Sequence, residues 1–364
     1  MTRHPRISSR IRLLLLLISL YAVHGVASEP LEKLQWVLEE TPVEKKTIAL
    51  QDSVITPDKV RKAFRYYRTG EYQTAAAILR TYLRYNIPGE NRSLISLMLG
   101  ECYRYMHIVS LARRFYTAAA DTFVSAHYTP AALFRLLQFA YQRNDFSQAQ
   151  RMYERFERTY SAHPLFHSVC YIMGKFTYRK ERYPECLEYL SSVPKSSQRA
   201  MQALLLTSLC NINMGNRDKA LVNLNHIQRY SGSDDIRNAA LHLIGDVYYT
   251  KQDYGAALGH YDRIPPAYPD HQYILLQKMK CFMYQQRYDE ALEIGTGYMR
   301  THSFQSPYYF EYTSTLEKLY RRTGRFSESY ALATMVNTAI RKEGIRINLL
   351  NEIRRNIDII SQWN

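Results

Sequence analysis

Apolar residues recur along this chain with a helical period that breaks and resumes at nearly constant intervals. Leu241, Ile244, Val247 and Tyr248 keep a helical rhythm, Lys251-Gln252-Asp253 interrupts it, and Tyr254, Ala257, Leu258 and Tyr261 take it up again. Two antiparallel helices with a short turn between them are predicted. The same interruption returns at 68–71, 143–145, 213–216 and 322–325, where Gly or Asn supplies the left-handed conformation that ends a helix. One turn into each second helix stands a small residue: Ala75, Ala112, Ala149, Cys186, Ala220, Ala257, Ala291 and Ser329. Their separations are 37, 37, 37, 34, 37, 34 and 38 residues, a period that belongs to stacked helical repeats rather than to one compact core. A larger side chain at these marks would hold the two helices of a pair apart. In six units an aromatic residue three positions earlier, Tyr72, Phe146, Tyr183, Tyr254, Tyr288 or Phe326, is expected to cap the apolar seam. Thr56-Pro57-Asp58, Thr129-Pro130 and Ser306-Pro307 read as helix starts, each an oxygen-bearing N-cap followed by Pro.

Other positions follow the same register. Leu99, Gly100 and Tyr103 precede the second mark by thirteen, twelve and nine residues, and Ile244, Gly245 and Tyr248 stand in the same relation to the sixth. Gly70, Gly215 and Gly324 lie five before theirs. As a set these residues resemble the tetratricopeptide repeat over about 57–340. The resemblance implies an all-α, right-handed α-solenoid of about eight helix pairs. Three units depart from the pattern, with Leu137, Met279 and Glu317 where a small residue is expected, and Glu317 leaves the register of the last unit open.

The ends of the chain read differently. Residues 1–27 carry Arg3, Arg6, Arg10 and Arg12, then the apolar run from Leu13 to Leu20, then Gly25-Val26-Ala27, the layout of a signal peptide cut after Ala27. An uncleaved anchor is the alternative, although the run falls short of the ~20 apolar residues that span a bilayer. No cysteine follows it, so lipid attachment is not expected. Residues 28–55 form an acidic arm with Glu29, Glu32, Glu39, Glu40, Glu44 and Asp52, either free or folded back on the basic repeats. The repeats occupy 56–340. Residues 341–364 place Ile345, Ile347, Leu350, Ile353, Ile357 and Ile360 on one helical face, as a capping helix would.

Removing the four arginines of the leader takes the net charge from +15 to +11. An exported protein of that charge meets little nucleic acid, so acidic proteins, anionic glycans and lipid headgroups are the counterparts to consider. Five cysteines raise the question of disulfides. Cys102, Cys210 and Cys281 each lie ten before a mark, and equivalent positions in successive units fall a repeat apart, too far for a bridge of about 4.4–6.8 Å between Cα atoms. The cysteines therefore read as small buried residues, with Cys170 and Cys186 the one pair that a single repeat could bring together.

Catalytic signatures are absent from the sequence: there is no HExxH, no GxSxG, no phosphate-cradling glycine loop and no paired CxxC. His163 and His167 have metal-like spacing, but His163 precedes Pro164 at a helix entry and no third ligand is evident. Neither an enzyme nor a resident cofactor or metal is expected.

The resemblance implies a concave face lined by the first helix of each pair, at the places eight and seven residues before each mark. Those places hold Tyr67 and Arg68, Arg104 and Tyr105, Tyr141 and Gln142, Tyr178 and Arg179, Ile212 and Asn213, Tyr249 and Thr250, Met283 and Tyr284, Arg321 and Arg322. Lys175, Lys280 and Lys318, eleven before their marks, are expected to point the same way. Tyrosine and arginine together give rigid amphipathic area and forked donors, the residue types enriched at binding hot spots. The competing reading is that these tyrosines pack against the next unit. The family's carboxylate clamp is not carried over, because its Asn and Lys positions hold Phe64, Glu101 and Gln138.

An export signal followed by degenerate repeats is similar to the layout of adaptors in bacterial outer-membrane assembly and cell-envelope complexes. The expectation is a periplasmic scaffold that binds envelope proteins or peptides of acidic character and associates with membrane only through them. The alternative is a binder of anionic glycan or peptidoglycan, with tyrosines on sugar rings and Arg68, Arg104, Arg179 and Arg321 on anionic groups.

Overall fold

The computed structural model describes residues 58–85, 89–303, 306 and 308–342. The leader and the acidic arm lie outside them, as does the terminal segment from residue 343. Among the described residues there are sixteen α-helices and no strands. They form eight successive pairs: α1 (Asp58–Arg68) with α2 (Tyr72–Leu83), α3 (Gly89–Tyr105) with α4 (Val109–Thr117), α5 (Thr129–Gln142) with α6 (Phe146–Tyr160), and α7 (Phe166–Arg179) with α8 (Tyr183–Ser191). Then come α9 (Ala200–Asn213) and α10 (Arg217–Tyr230), α11 (Asp234–Thr250) and α12 (Tyr254–Tyr261), α13 (His271–Tyr284) and α14 (Tyr288–Thr301), and α15 (Tyr309–Arg322) and α16 (Phe326–Lys342). The chain is an α-solenoid of helix pairs.

Every second helix starts three residues before its mark. Seven of the marks are 0% exposed and Ser329 is 1% exposed. The turn before each second helix has one conformation throughout. The residue five before the mark is left-handed in all eight turns: Gly70, Gly215 and Gly324 at φ 83°, 79° and 73°, and His107, Asn144, Glu181, Gln252 and Gln286 at φ 58–63°. Its N–H bonds back three residues, and the next N–H bonds back five, as in Asn144 to Tyr141 (3.1 Å) and Asp145 to Ala140 (2.9 Å). These are the paired bonds that satisfy the last carbonyls of a helix. The sequence pointed to Gly or Asn for this role, but four turns use His, Glu or Gln. The two bonds and the docked helices hold those residues in a region that costs an L-residue about 1–2 kcal/mol. Asp145 and Asp253 also cap the helices they precede, accepting from Gln148 and Ala256 N–H at 3.0 Å.

Two expected helix starts differ. Thr129 lies inside α5, and its hydroxyl serves the preceding loop, accepting from Ser125 N–H (2.9 Å) and donating to the Ala119 carbonyl (3.1 Å). That carbonyl belongs to a single π turn, Ala118–Thr122, which prolongs α4. At the other site α15 begins at Tyr309, after a left-handed Tyr308, and Ser306 Oγ accepts from Ser303 N–H at 3.1 Å instead of capping the helix.

The described residues divide into two compact units, with the division between Asn223 and Leu224, inside α10. In the first unit, 58–223, each second helix packs on the first helix of the next pair, and the first helices α3, α5, α7 and α9 also pack in series. Leu79, Phe134, Phe156, Tyr171 and Phe176 fill its core. In the second unit, 224–342, α12 packs on α13 and α14 on α15, and α13 also packs on α15. Tyr298 and Tyr312 are stacked at 3.7 Å there, with the Tyr312 hydroxyl donating to the Gln272 carbonyl at 2.8 Å.

The small residue twelve before a mark makes room for the side chain four after it. A Cβ on Gly100 would lie 2.5 Å from the Tyr116 ring, one on Gly245 2.3 Å from Tyr261, and one on Gly174 2.8 Å from Leu190. The departures are compensated across the same contact. Met279 stands where a glycine is expected, and the facing position is Gly295, whose Cβ would come within 2.6 Å of the Met279 methyl. Glu317 is buried opposite Ala333 and receives the Ser329 hydroxyl at 3.3 Å, which sets the last pair in the same register as the others. Leu137 is buried, and Tyr153, four after its mark, packs its ring against Tyr189 at 4.9 Å.

The cysteine reading needs correction. All five are buried thiols, but Cys186 and Cys210 face each other with their sulfurs 3.1 Å apart. They occupy different positions of adjacent units, so the separation of equivalent positions did not apply to them.

Gly100→Ala is expected to destabilise the first unit by about 2 kcal/mol, because the Tyr116 ring is held at both ends and cannot yield. Gly259→Ala, exposed in α12 with nothing within 4 Å of the new methyl, is expected to stabilise by about 0.5–1 kcal/mol. Urea unfolding followed by circular dichroism measures both.

Candidate binding surfaces

A buried charge cluster organises the first unit. Glu101 on α3 accepts from Arg135 Nε at 2.7 Å and Nη2 at 3.2 Å, from Arg104 Nη2 at 2.7 Å and Nε at 3.1 Å, and from the Tyr116 hydroxyl at 2.7 Å. Burial alone would raise the Glu101 pKa, but the two guanidinium groups outweigh it and hold the carboxyl below its ordinary value. The cluster aims Arg104 so that its guanidinium lies 4.1 Å from the centre of the Tyr105 ring.

Tyr105 is 44% exposed and stacks on Tyr72 at 4.7 Å with 7° between the planes. Tyr67 stands edge-on to both, at 5.6 Å from Tyr72 and 6.0 Å from Tyr105. Burial, and then the Glu101 charge, push the Tyr67 hydroxyl well above its ordinary pKa, so it stays a neutral donor. Arg68 is exposed beside this trio.

Further along the same unit the expected residues separate into open and packed ones. Tyr141 is half-buried, with Lys175 Nζ at 4.9 Å and the exposed Arg179 at 5.1 Å from its ring centre. Lys175 is itself buried. Tyr178 is 4% exposed; its hydroxyl accepts from Asn213 at 2.9 Å and burial raises its pKa. For Lys175 and Tyr178 the structure gives the packing role between units rather than an open face. Gln142 is exposed.

The second unit repeats the trio. Tyr284, 45% exposed, stacks on Tyr254 at 4.9 Å with 12° between the planes, and Tyr249 is edge-on to Tyr254 at 5.6 Å and to Tyr284 at 6.2 Å. Arg322 lies 5.9 Å from the Tyr284 ring centre. Lys318, Arg321, Arg322 and Phe326 line a shallow basic depression. Arg321 is 3.6 Å from Glu317. Burial lowers the pKa of Lys280, against the nearby charges of Glu311 and Asp246, and burial likewise lowers that of Lys318, with Arg322 adding to the effect.

The expected site residues therefore fall into two tyrosine trios, the half-open pair of Tyr141 and Arg179, one basic depression and a packed set. Tyr72 and Tyr254 were expected to seal the helix seam, and they are also the platforms on which the exposed tyrosines lie. The charge clusters were missed. Asp246 repeats Glu101 in register, accepting from the Tyr261 hydroxyl at 2.6 Å and from the Tyr273 hydroxyl at 3.3 Å, with His242 Nε2 3.2 Å away. Gly-Glu at 100–101 and Gly-Asp at 245–246, each with a tyrosine four after the following mark, was the available signal. His163 Nδ1 accepts from Leu165 N–H at 3.2 Å, and burial lowers the His163 pKa. Among the described residues no three His, Cys, Asp or Glu side chains gather as a metal site.

Solved structures share this architecture. A signal transduction ATPase of the STAND class with a tetratricopeptide repeat sensor, PH0952 from Pyrococcus horikoshii, aligns with a TM-score of 0.58 and 14% identity over 91% of this chain and 55% of its own. The apo form of RapI aligns with a TM-score of 0.55 and 12% identity, over 82% of this chain and 95% of that one. A tetratricopeptide repeat protein from Parabacteroides merdae aligns at 0.49 and 14%, over 71% and 98%. No protein-family profile and no curated relative matches the chain. At these identities the likeness is one of fold, and the fold is of the tetratricopeptide-repeat type.

Arg135→Met leaves the buried Glu101 carboxylate short of its main counter-charge and is expected to cost about 3–5 kcal/mol at pH 7. Because Glu101 has its pKa depressed in the folded state, its contribution is present above about pH 4.5 and is lost as pH falls through the folded value. Urea midpoints taken down to pH 3 should therefore fall for the natural chain and fall less for Glu101→Gln. Equal slopes for the two would remove Glu101 as the titrating group.

Proposed function

We propose that the protein is a non-enzymatic interaction scaffold that binds partner proteins through the tyrosine and arginine side chains at the ends of its first helices. The observation that carries this reading is the repeated trio. Tyr105 and Tyr284 each expose nearly half of their surface while stacked on a second tyrosine, with Arg104 and Arg322 over the rings. A ring already held in place loses little freedom when a partner covers it, so its apolar area converts efficiently into affinity. The structure of PH0952, whose repeats are described as a sensor, shares the fold with this chain and fits a recognition role.

The leader in residues 1–27 supports export to the periplasm, where the partners would be envelope proteins. The basic balance and the depression formed by Lys318, Arg321 and Arg322 favour acidic segments on those partners. The same depression supports a second reading, a binder of anionic glycan. Salt separates the two: contacts with an anionic polymer collapse steeply with ionic strength, whereas a packed aromatic interface persists.

The test is capture from envelope extract with residues 28–364, beside a variant carrying Tyr105→Ser, Arg179→Glu, Tyr284→Ser and Arg322→Glu. Because the four positions are exposed, helical circular dichroism is expected to be unchanged. A protein retained at 0.5 M salt by the natural chain and lost by the variant is the expected result. Identical capture by both would reject these surfaces, and capture of polysaccharide alone, abolished by salt, would favour the second reading.

A further inference from the structure

Cys186 on α8 and Cys210 on α9 are both 0% exposed, and their sulfurs are 3.1 Å apart. Non-bonded heavy atoms settle at about 3.5–4.0 Å for carbon, and sulfur is larger. A disulfide bond is about 2.05 Å long. The two sulfurs therefore sit inside ordinary contact distance without being bonded, held there by the packing of α8 on α9.

Register explains why this pair meets. Cys186 is the mark of the fourth unit, where the repeat admits only a small side chain. Cys210 lies ten before the next mark. The equivalent positions of other neighbouring units hold Ala75 with Cys102 and Ala257 with Cys281, where one partner has no sulfur. No other two cysteine sulfurs are paired in this way among the described residues.

We propose that Cys186 and Cys210 form a disulfide that staples the fourth helix pair to the fifth when the protein folds under oxidising conditions. The oxidant is a disulfide, either of a thiol–disulfide oxidoreductase or glutathione disulfide. One cysteine thiolate attacks it, forming a mixed disulfide and releasing one thiol. The second cysteine thiolate then attacks the protein sulfur of that mixed disulfide, forming the Cys186–Cys210 bond and releasing the second thiol. Two protein thiols have lost two protons and two electrons, and the oxidant has become a dithiol or two thiols. In the finished fold neither sulfur is accessible, and the contact with Cys210 together with burial holds Cys186 in the protonated form. Exchange therefore precedes the docking of α8 on α9. The bond forms on folding, and the folded dithiol protein resists oxidation.

This geometry is independent of where the protein resides; only its occurrence in the cell rests on export. The test refolds residues 28–364 from urea in glutathione buffers of increasing oxidised fraction, alkylates in denaturant, and maps the peptides. Three alkylated cysteines and a peptide pair joined through Cys186 and Cys210 are expected, with all five alkylated after reduction. The oxidised form should melt roughly 5 °C or more above the reduced one. Cys186→Ala and Cys210→Ala should each leave four thiols and no internal link, and alanine is tolerated at the first position because six of the eight marks are alanine. Five thiols at every glutathione ratio, or a link through any other pair, would overturn the proposal. A separate arm expresses the full chain with its leader in a bacterium. Five thiols there, beside three after refolding in vitro, would count against export and leave the disulfide standing.

Discussion

The structure depends on a single distance, the approach of the two helices in each pair at the small residue one turn into the second. Seven of the eight marks are fully buried and the eighth nearly so. With the helices this close, the left-handed turn before the second helix reverses the chain in few residues while satisfying the last carbonyls of the first. All eight turns adopt it, even where His, Glu or Gln must occupy the strained position. The side chain four after the mark then enters the space left by Gly100, Gly174 or Gly245. Alanine, the turn and glycine are parts of one steric solution.

That solution was legible in the sequence because it is local. Small residues, turns and aromatics repeat at fixed offsets, and those offsets translate into the starts of the second helices to the residue. What was not legible depends on pairs of positions. Met279 looks like a defect until Gly295 is seen opposite, and Glu317 until Ser329 and Ala333 are. Cys186 and Cys210 belong to different positions of neighbouring units, so comparing like with like hid their contact. Counting tyrosines likewise could not separate Tyr178, sealed against Asn213, from Tyr105, stacked and half open. Exposure is decided by what the next unit places alongside.

The two trios also show how a packing device yields a surface. Tyr72 and Tyr254 begin second helices, and each stands edge-on to a tyrosine of its own first helix. The next unit lays Tyr105 or Tyr284 on their rings. The arginine over each ring comes in the first unit from a buried carboxylate cluster and in the second from the rim of the basic depression. Rigidity comes from the repeat contact itself, so the exposed ring is ordered before any partner arrives.

Hydroxyl-radical footprinting of the chain with its captured partner tests the central claim most directly, because exposed tyrosines elsewhere supply the internal standard. Tyr85 and Tyr230 are 56% and 64% exposed and belong to neither trio. The account predicts that Tyr105 and Tyr284 lose modification on binding while Tyr85 and Tyr230 keep theirs. Protection of Tyr85 and Tyr230 with Tyr105 and Tyr284 unchanged would contradict it and move the binding surface to the other ends of the helices.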